Sequence, residues 1–168
     1  MARYKEKFIT TLVSRIAEVL GNPKNRVRCV FPVPLIELLS SSLEGAPNLE
    51  MMSFLTLTHF ENLIRQSDVV FYWNVFSNSI LLCYYYDIPF LCFEKGHVAE
   101  LSPQLFQHMS VGIYHKGHPE FVDWQKPFPN DLSTLLNNCY SLQNREQILA
   151  EYQQLPSPDS IVKKLVNG

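Results

Sequence analysis

The chain lacks the common nucleotide and nucleophile motifs. It has no G-x-x-x-x-G-K-[ST], no G-x-G-x-x-G and no G-x-S-x-G. A P-loop, a dinucleotide fingerprint and a nucleophile elbow are therefore excluded. C-x-x-C is absent as well. Cys29, Cys83, Cys92 and Cys139 are scattered, so no zinc site is expected. The first three lie inside apolar runs, where cysteine behaves as a small buried hydrophobe. Reduced thiols in a reducing compartment are the simple expectation.

Charge is scarce too. Charged residues make up 18% of the 168, and the net charge is -2. Lys24, Arg26 and Arg28 form a short basic cluster among otherwise dispersed basic residues, so neither a nucleic acid nor an anionic membrane is an expected partner. Long hydrophobic runs are missing. The longest, residues 80–86, falls far short of the roughly 20 residues a spanning helix needs. Residues 1–7 are polar and charged, with no signal peptide behind them. A cytoplasmic protein is expected.

What is present is an apolar fraction of 46%, enough to build one globular domain over residues 1–168. Phe8, Leu12, Ile16 and Leu20 fall four apart, which predicts a helix over 4–20. Gly21 and Asn22-Pro23 end it. Residues 26–31 read as a short strand closed by Pro32 and Pro34. A short helix over 35–43 and a strand over 49–55 follow. Thr58-His59-Phe60-Glu61 has capping-box spacing, with Thr58 as N-cap of a helix through Ile64. Residues 69–73 read as a buried strand, 80–86 as a helix, 87–89 as a turn and 90–93 as a strand. A helix over 98–108, a last strand over 111–114, and helices over 131–140, 144–152 and beyond 159 complete the order. Strands alternate with helices and read as continuous apolar runs. That predicts a Rossmann-like α/β fold: a parallel sheet with helices on both faces and the C-terminal helices packed on it.

Ligands of open parallel sheets bind beyond the carboxyl ends of the strands. Three loops should lie there. The first holds Thr56 and Thr58. The second, with Asn74, Ser77, Asn78 and Ser79, feeds a helix N-terminus, where backbone N–H groups and the helix dipole favour an anion such as a diphosphate. Plain helix capping by Ser77 or Asn78 explains the same residues. The third holds Glu94, Lys95, Gly96, His97 and Glu100. It reads either as a proton-transfer and sugar-holding cluster or as a solvated loop. His59 reads as structural, and His115 and His118 as solvated loop residues. Tyr84-Tyr85-Tyr86 reads as helix packing, Trp73 as base pocket or core, and Trp124 and Phe128 as anchors of a loop.

The run Glu61 to Val70, then Ser77-Asn78-Ser79, then Asp87-Ile88-Pro89-Phe90-Leu91-Cys92-Phe93, resembles the C-terminal domain of GT-B glycosyltransferases. The likeness spans roughly residues 50–115. The loop after the 69–73 strand is similar to the N-x-x-x-N-S loops of protein-glucosylating and O-GlcNAc-type transferases, with Asn74, Asn78 and Ser79 at the corresponding places. The resemblance implies a nucleotide-sugar-binding half of a glycosyltransferase. Ser77, Asn78 and Ser79 would contact the diphosphate. Glu94, Gly96 and His97 would lie near the sugar or ribose. The expected donor is a nucleoside-diphosphate sugar, most readily a UDP sugar, with no further cofactor or metal required.

The chain departs from that pattern in three ways. Ile80-Leu81-Leu82-Cys83 carries no ribose-holding acid. The chain opens with a helix instead of a strand and glycine loop. No acceptor domain is present, so activity alone is not expected, and an acceptor-domain partner or a homo-oligomer would complete the cleft. The alternative function is a non-catalytic scaffold or protein-interaction module with the same fold.

Overall fold

The structure is a computed structural model of the chain. It describes residues 2–73, 75–93, 99, 101–114, 121–123, 125–128, 133 and 145–154. The described elements are α1 (Ala2–Leu20), β1 (Val27–Val30), α2 (Val33–Leu43), β2 (Leu49–Met52), α3 (Leu57–Arg65), β3 (Val70–Tyr72), α4 (Ile80–Tyr86), β4 (Phe90–Cys92), α5 (Pro103–Tyr114) and α6 (Arg145–Gln153).

The strands form two parallel pairs. β1 pairs with β2, with Val27 opposite Leu49 and Val30 opposite Met52. β3 pairs with β4, with Val70 opposite Phe90 and Tyr72 opposite Cys92. A helix lies between the strands of each pair, as parallel neighbours require. The protein is thus a mixed α/β structure. The expected single Rossmann-like sheet is instead two two-stranded sheets among the described residues. The strands are three or four residues long, which gives each few ladder bonds to offer a second neighbour. Aromatic rings bring the two pairs together. Trp73 and Phe93, just past β3 and β4, pack into the cluster that also holds Cys29 of β1 and Leu39 of α2.

That first cluster is built by the apolar stripe of α1. Leu12 and Ile16 are buried, and Phe8, Ile9, Val13 and Leu20 flank them. Leu39 and Leu43 of α2 close it from the side. A second cluster surrounds β3 and β4 and contains Ile64 of α3, Ile80, Cys83 and Tyr84 of α4, and Ile148 of α6. Each fully buried side chain of this size contributes roughly 1.5–3 kcal/mol.

Several local expectations are corrected. Thr58 does not cap α3. Thr56 is the N-cap, extended at φ -65° and ψ 155°, and its hydroxyl accepts the His59 N–H at 3.3 Å. Glu61 is thereby released from a capping box and accepts the Tyr86 hydroxyl instead. The last strand expected over 111–114 is helical, being the end of α5. Pro103 sits at the first position of that helix, where its missing N–H costs nothing; Ala99 and Leu101 before it are also helical, and the helix runs further than 98–108. The neighbouring strand position beyond β4 is taken by Phe121, which bridges Cys92, while the Val122 N–H donates to the Cys92 carbonyl at 2.8 Å. The expected helix over 131–140 and the one beyond 159 lie outside the described residues, Ser133 excepted.

The far end of α4 is held by its neighbours. Asp87 adopts the left-handed conformation (φ 61°, ψ 37°), which an aspartate tolerates better than most residues. The Ile88 N–H then reaches back to the Cys83 carbonyl at 2.9 Å, a Schellman-type closure. Arg145, at the start of α6, donates to the carbonyls of Tyr84 and Tyr85 and lies 3.5 Å from the Asp87 carboxylate. No described helix is long and apolar enough to cross a membrane.

Candidate functional site

The segment between β3 and α4 carries three of the expected ligand residues. Ser77 and Ser79 are half-buried and Asn78 is exposed. The two serine hydroxyls lie 2.7 Å apart and hydrogen-bond each other. The Ser79 side chain also interacts with the phenol of Tyr72, the last residue of β3, favouring its ionised form. That phenol lies 3.4 Å from the Cys83 thiol of α4. A polar chain Ser77–Ser79–Tyr72–Cys83 therefore runs from the surface into the second cluster. Sequence reasoning placed the serines but missed Tyr72. The signal available was its position as the final buried residue before the loop.

Burial pushes the Tyr72 phenol well above the ordinary tyrosine range. Burial likewise pushes the Cys83 thiol up to about 11, with the Tyr72 hydrogen bond pulling the other way. Neither group is an acid or nucleophile near neutral pH. Tyr72 and Cys83 are a floor for the loop, and chemistry would have to use the serine hydroxyls, Asn78 or backbone groups.

The approach to α4 differs from an open helix N-terminus. The N–H groups of Ile80, Leu81 and Leu82 donate to the carbonyls of Ser77, Asn78 and Ser79 at 3.0, 3.1 and 3.0 Å. These are tight i-to-i-3 bonds, so three donors expected for an anion are already engaged. Ser79 occupies the N-cap position in a helical conformation and makes no side-chain cap bond. A diphosphate at this place would have to be met by the serine hydroxyls, the Asn78 amide and the backbone one turn earlier.

The remaining expected residues fall elsewhere. Asn74, Glu94, Gly96 and His97 lie outside the described residues, as do His115, His118 and Trp124. Trp73 is half-buried, 4.4 Å from the Phe93 ring and 5.2 Å from the Phe8 ring, and belongs to the core. Tyr84 is buried, Tyr85 is exposed, and Tyr86 bonds Glu61 beneath the Arg65 guanidinium, 5.0 Å from its ring. His59 is exposed on α3. Phe128 is buried, as an anchoring residue should be. A depression of about 380 Å³ lies at the other end of the strands, lined by Ser40, Ser41, Glu44, Gly45, Leu49 and Met51. Gly45 takes a positive φ of 79° there to make the turn from α2 toward β2. Among the described residues no three His, Cys, Asp or Glu side chains converge as a metal site would need.

Comparison with family models, with curated proteins and with solved structures finds no match to this chain.

Proposed function

We propose that the chain is the nucleotide-sugar-binding half of a glycosyltransferase. The observation that carries this reading is the placement of Ser77, Asn78 and Ser79. They follow the carboxyl end of a parallel strand, lead into a helix, and keep side chains within reach of solvent. In parallel α/β architectures that is the end where ligands bind. The paired serine hydroxyls, 2.7 Å apart, suit adjacent oxygens of a diphosphate. They would stabilise charge on the departing nucleotide as the sugar is transferred. An acceptor-binding partner would supply the second wall of the cleft.

The test is a titration with UDP, GDP and their sugars, read by amide chemical shifts. Shifts confined to residues 75–80 are expected. Unmoved resonances there at millimolar ligand would refute the reading.

A second reading, a non-catalytic interaction module, is favoured by one observation. Phe54 and Leu57 are 91% and 74% exposed beside the end of β2, and Phe54 holds a left-handed φ of 54°, which is costly for a bulky residue. Concentration-dependent self-association abolished by Phe54→Ser, with no nucleotide affinity, would support it.

A further inference from the structure

We propose that the outer face of the β1–β2 pair docks a second copy of this chain about a two-fold axis that runs along the strands. The choice of partner rests on the interaction-module reading above. It stands whether or not the serine loop takes a nucleotide.

The uncovered face comes first. Side chains alternate along a strand. Val27, Cys29, Leu49 and Met51 turn inward to α1 and α2. Arg28, Val30, Glu50 and Met52 therefore turn to the other face, and neither Val30 nor Met52 joins a described cluster. Parallel strands are usually covered on both faces. Here α3 packs its Ile64 into the second cluster instead. It touches this face at the margin, where Gln66, just past its end, accepts from Arg28 Nη1 at 3.3 Å. Beyond the strand ends, residues 29–36 and 51–60 hold no Lys, Arg, Asp or Glu. Val33 and Phe54 stand exposed there. An uncharged apolar surface of this kind marks an interface.

The charges on the face select the partner. Arg28 and Glu50 lie side by side in register. Arg28 Nε is shielded from water and has no hydrogen-bond partner, and Glu50 Oε2 stays 3.5 Å from it. The Glu50 side chain is more than half exposed. A two-fold axis between β1 and β2 sets the β2 of one copy over the β1 of the other. Each Arg28 then faces the other copy's Glu50, so the orphaned donor gains an acceptor. Each Val30 meets the other copy's Met52. Phe54, past the end of β2, reaches the other copy's Val33, past the end of β1. Opposite charges and apolar surfaces therefore meet twice, as a self-complementary contact requires. A surface of one charge sign would leave either Arg28 or Glu50 opposed by its like. The net charge of -2 adds little repulsion between copies. Strands of four residues make a small face, so the pair is weak and the dilute chain is single.

Sedimentation equilibrium on the full chain, from about 10 μM to about 1 mM, should show a reversible monomer–dimer equilibrium. Phe54→Asn keeps a residue that tolerates the left-handed backbone, and should weaken pairing by about tenfold or more, as loss of an aromatic anchor does. Arg28→Glu and Glu50→Arg should each weaken it, since like charges then meet twice. An equimolar mixture of those two variants should pair again, because the charges of each copy then oppose those of the other. Circular dichroism checks that every variant is folded. A chain that stays single over that range would overturn the pairing. So would a dimer indifferent to Phe54→Asn, or a charge-swapped mixture that stays single. Single chains that bind phosphatidylcholine vesicles, and lose them in Phe54→Asn, would overturn the second copy and leave the surface to lipid. A UDP titration separates this from the nucleotide reading. Amide shifts at 75–80 in a chain that never pairs would sink the pairing alone. Pairing without those shifts would sink the nucleotide site and keep the dimer.

Discussion

The two strand pairs share a connection and differ in how they are covered. In β1–β2 only alternate residues face the core. Val27, Cys29, Leu49 and Met51 pack under α1 and α2. Arg28 and Glu50, opposite each other in register, point the other way and pair at 3.5 Å. Val30 is 40% exposed. In β4 every residue is buried, and β3–β4 is covered by α4 on one side and by Phe128 on the other. The first pair is a wall with one dry side, and the second is an interior slab. A single chain of βαβ units can therefore mix the one-sided alternation usual for antiparallel sheets with the two-sided burial usual for parallel ones.

The largest expected break of that contrast is Phe90→Ala. Phe90 is fully buried and meets Tyr84 and Tyr72 edge-on at 5.3 and 6.0 Å. Its truncation should cost about 3–5 kcal/mol in urea unfolding. Val30→Ala on the open wall should cost under about 1 kcal/mol. Equal losses would erase the distinction between the pairs.

A pH series asks whether the open wall still keeps water from its inner side. Burial pushes the Cys29 thiol from 9.0 up to about 12. The folded chain then holds a proton that the unfolded chain releases. The stability this contributes is complete below pH 9 and is lost as pH rises from there through about 12. Unfolding measured at pH 8 and pH 10.5 should show a smaller drop in Cys29→Ala than in the parent. An identical drop would mean that Cys29 is wet.

A smaller effect sharpens the boundary between the pairs, where α3 starts. Thr56→Ala removes the cap and should cost about 1 kcal/mol, whereas Thr58→Ala should change stability by under about 0.5 kcal/mol. The reverse order would restore the capping box. The smallest effect belongs to the outer face. A double-mutant cycle on Arg28 and Glu50 should give roughly 0.2–1 kcal/mol, fading in high salt. A coupling above that range would show the face to be far drier than Val30 suggests.

The local elements were largely legible, because their signals are local. The α1 stripe, α4 and the strand cores depend on spacing and apolar runs within a dozen residues. Val111 and Ile113 misled because β-branched residues suggest a strand, while the helix begun at Pro103 simply continues through them. Thr58 misled because Thr56, two residues earlier, offers an equally good cap and lies in the extended conformation a cap needs. The division into two sheets was not legible. It depends on how aromatic rings from β3, β4 and α1 pack, which no spacing rule encodes. At the candidate site, sequence put Ser77, Asn78 and Ser79 at a strand end. The engaged amides of Ile80 to Leu82 could not be read, since a tight turn and an open helix start share the same residues.

Arg145 has a consequence for the order of synthesis. The guanidinium that grips the Tyr84 and Tyr85 carbonyls is encoded about sixty positions after them. A ribosome making this chain releases α4 well before its stopper. Until residue 145 emerges, the Tyr84 carbonyl has only the long bond from the Asp87 N–H, and the helix end must wait for a distant cation to finish it.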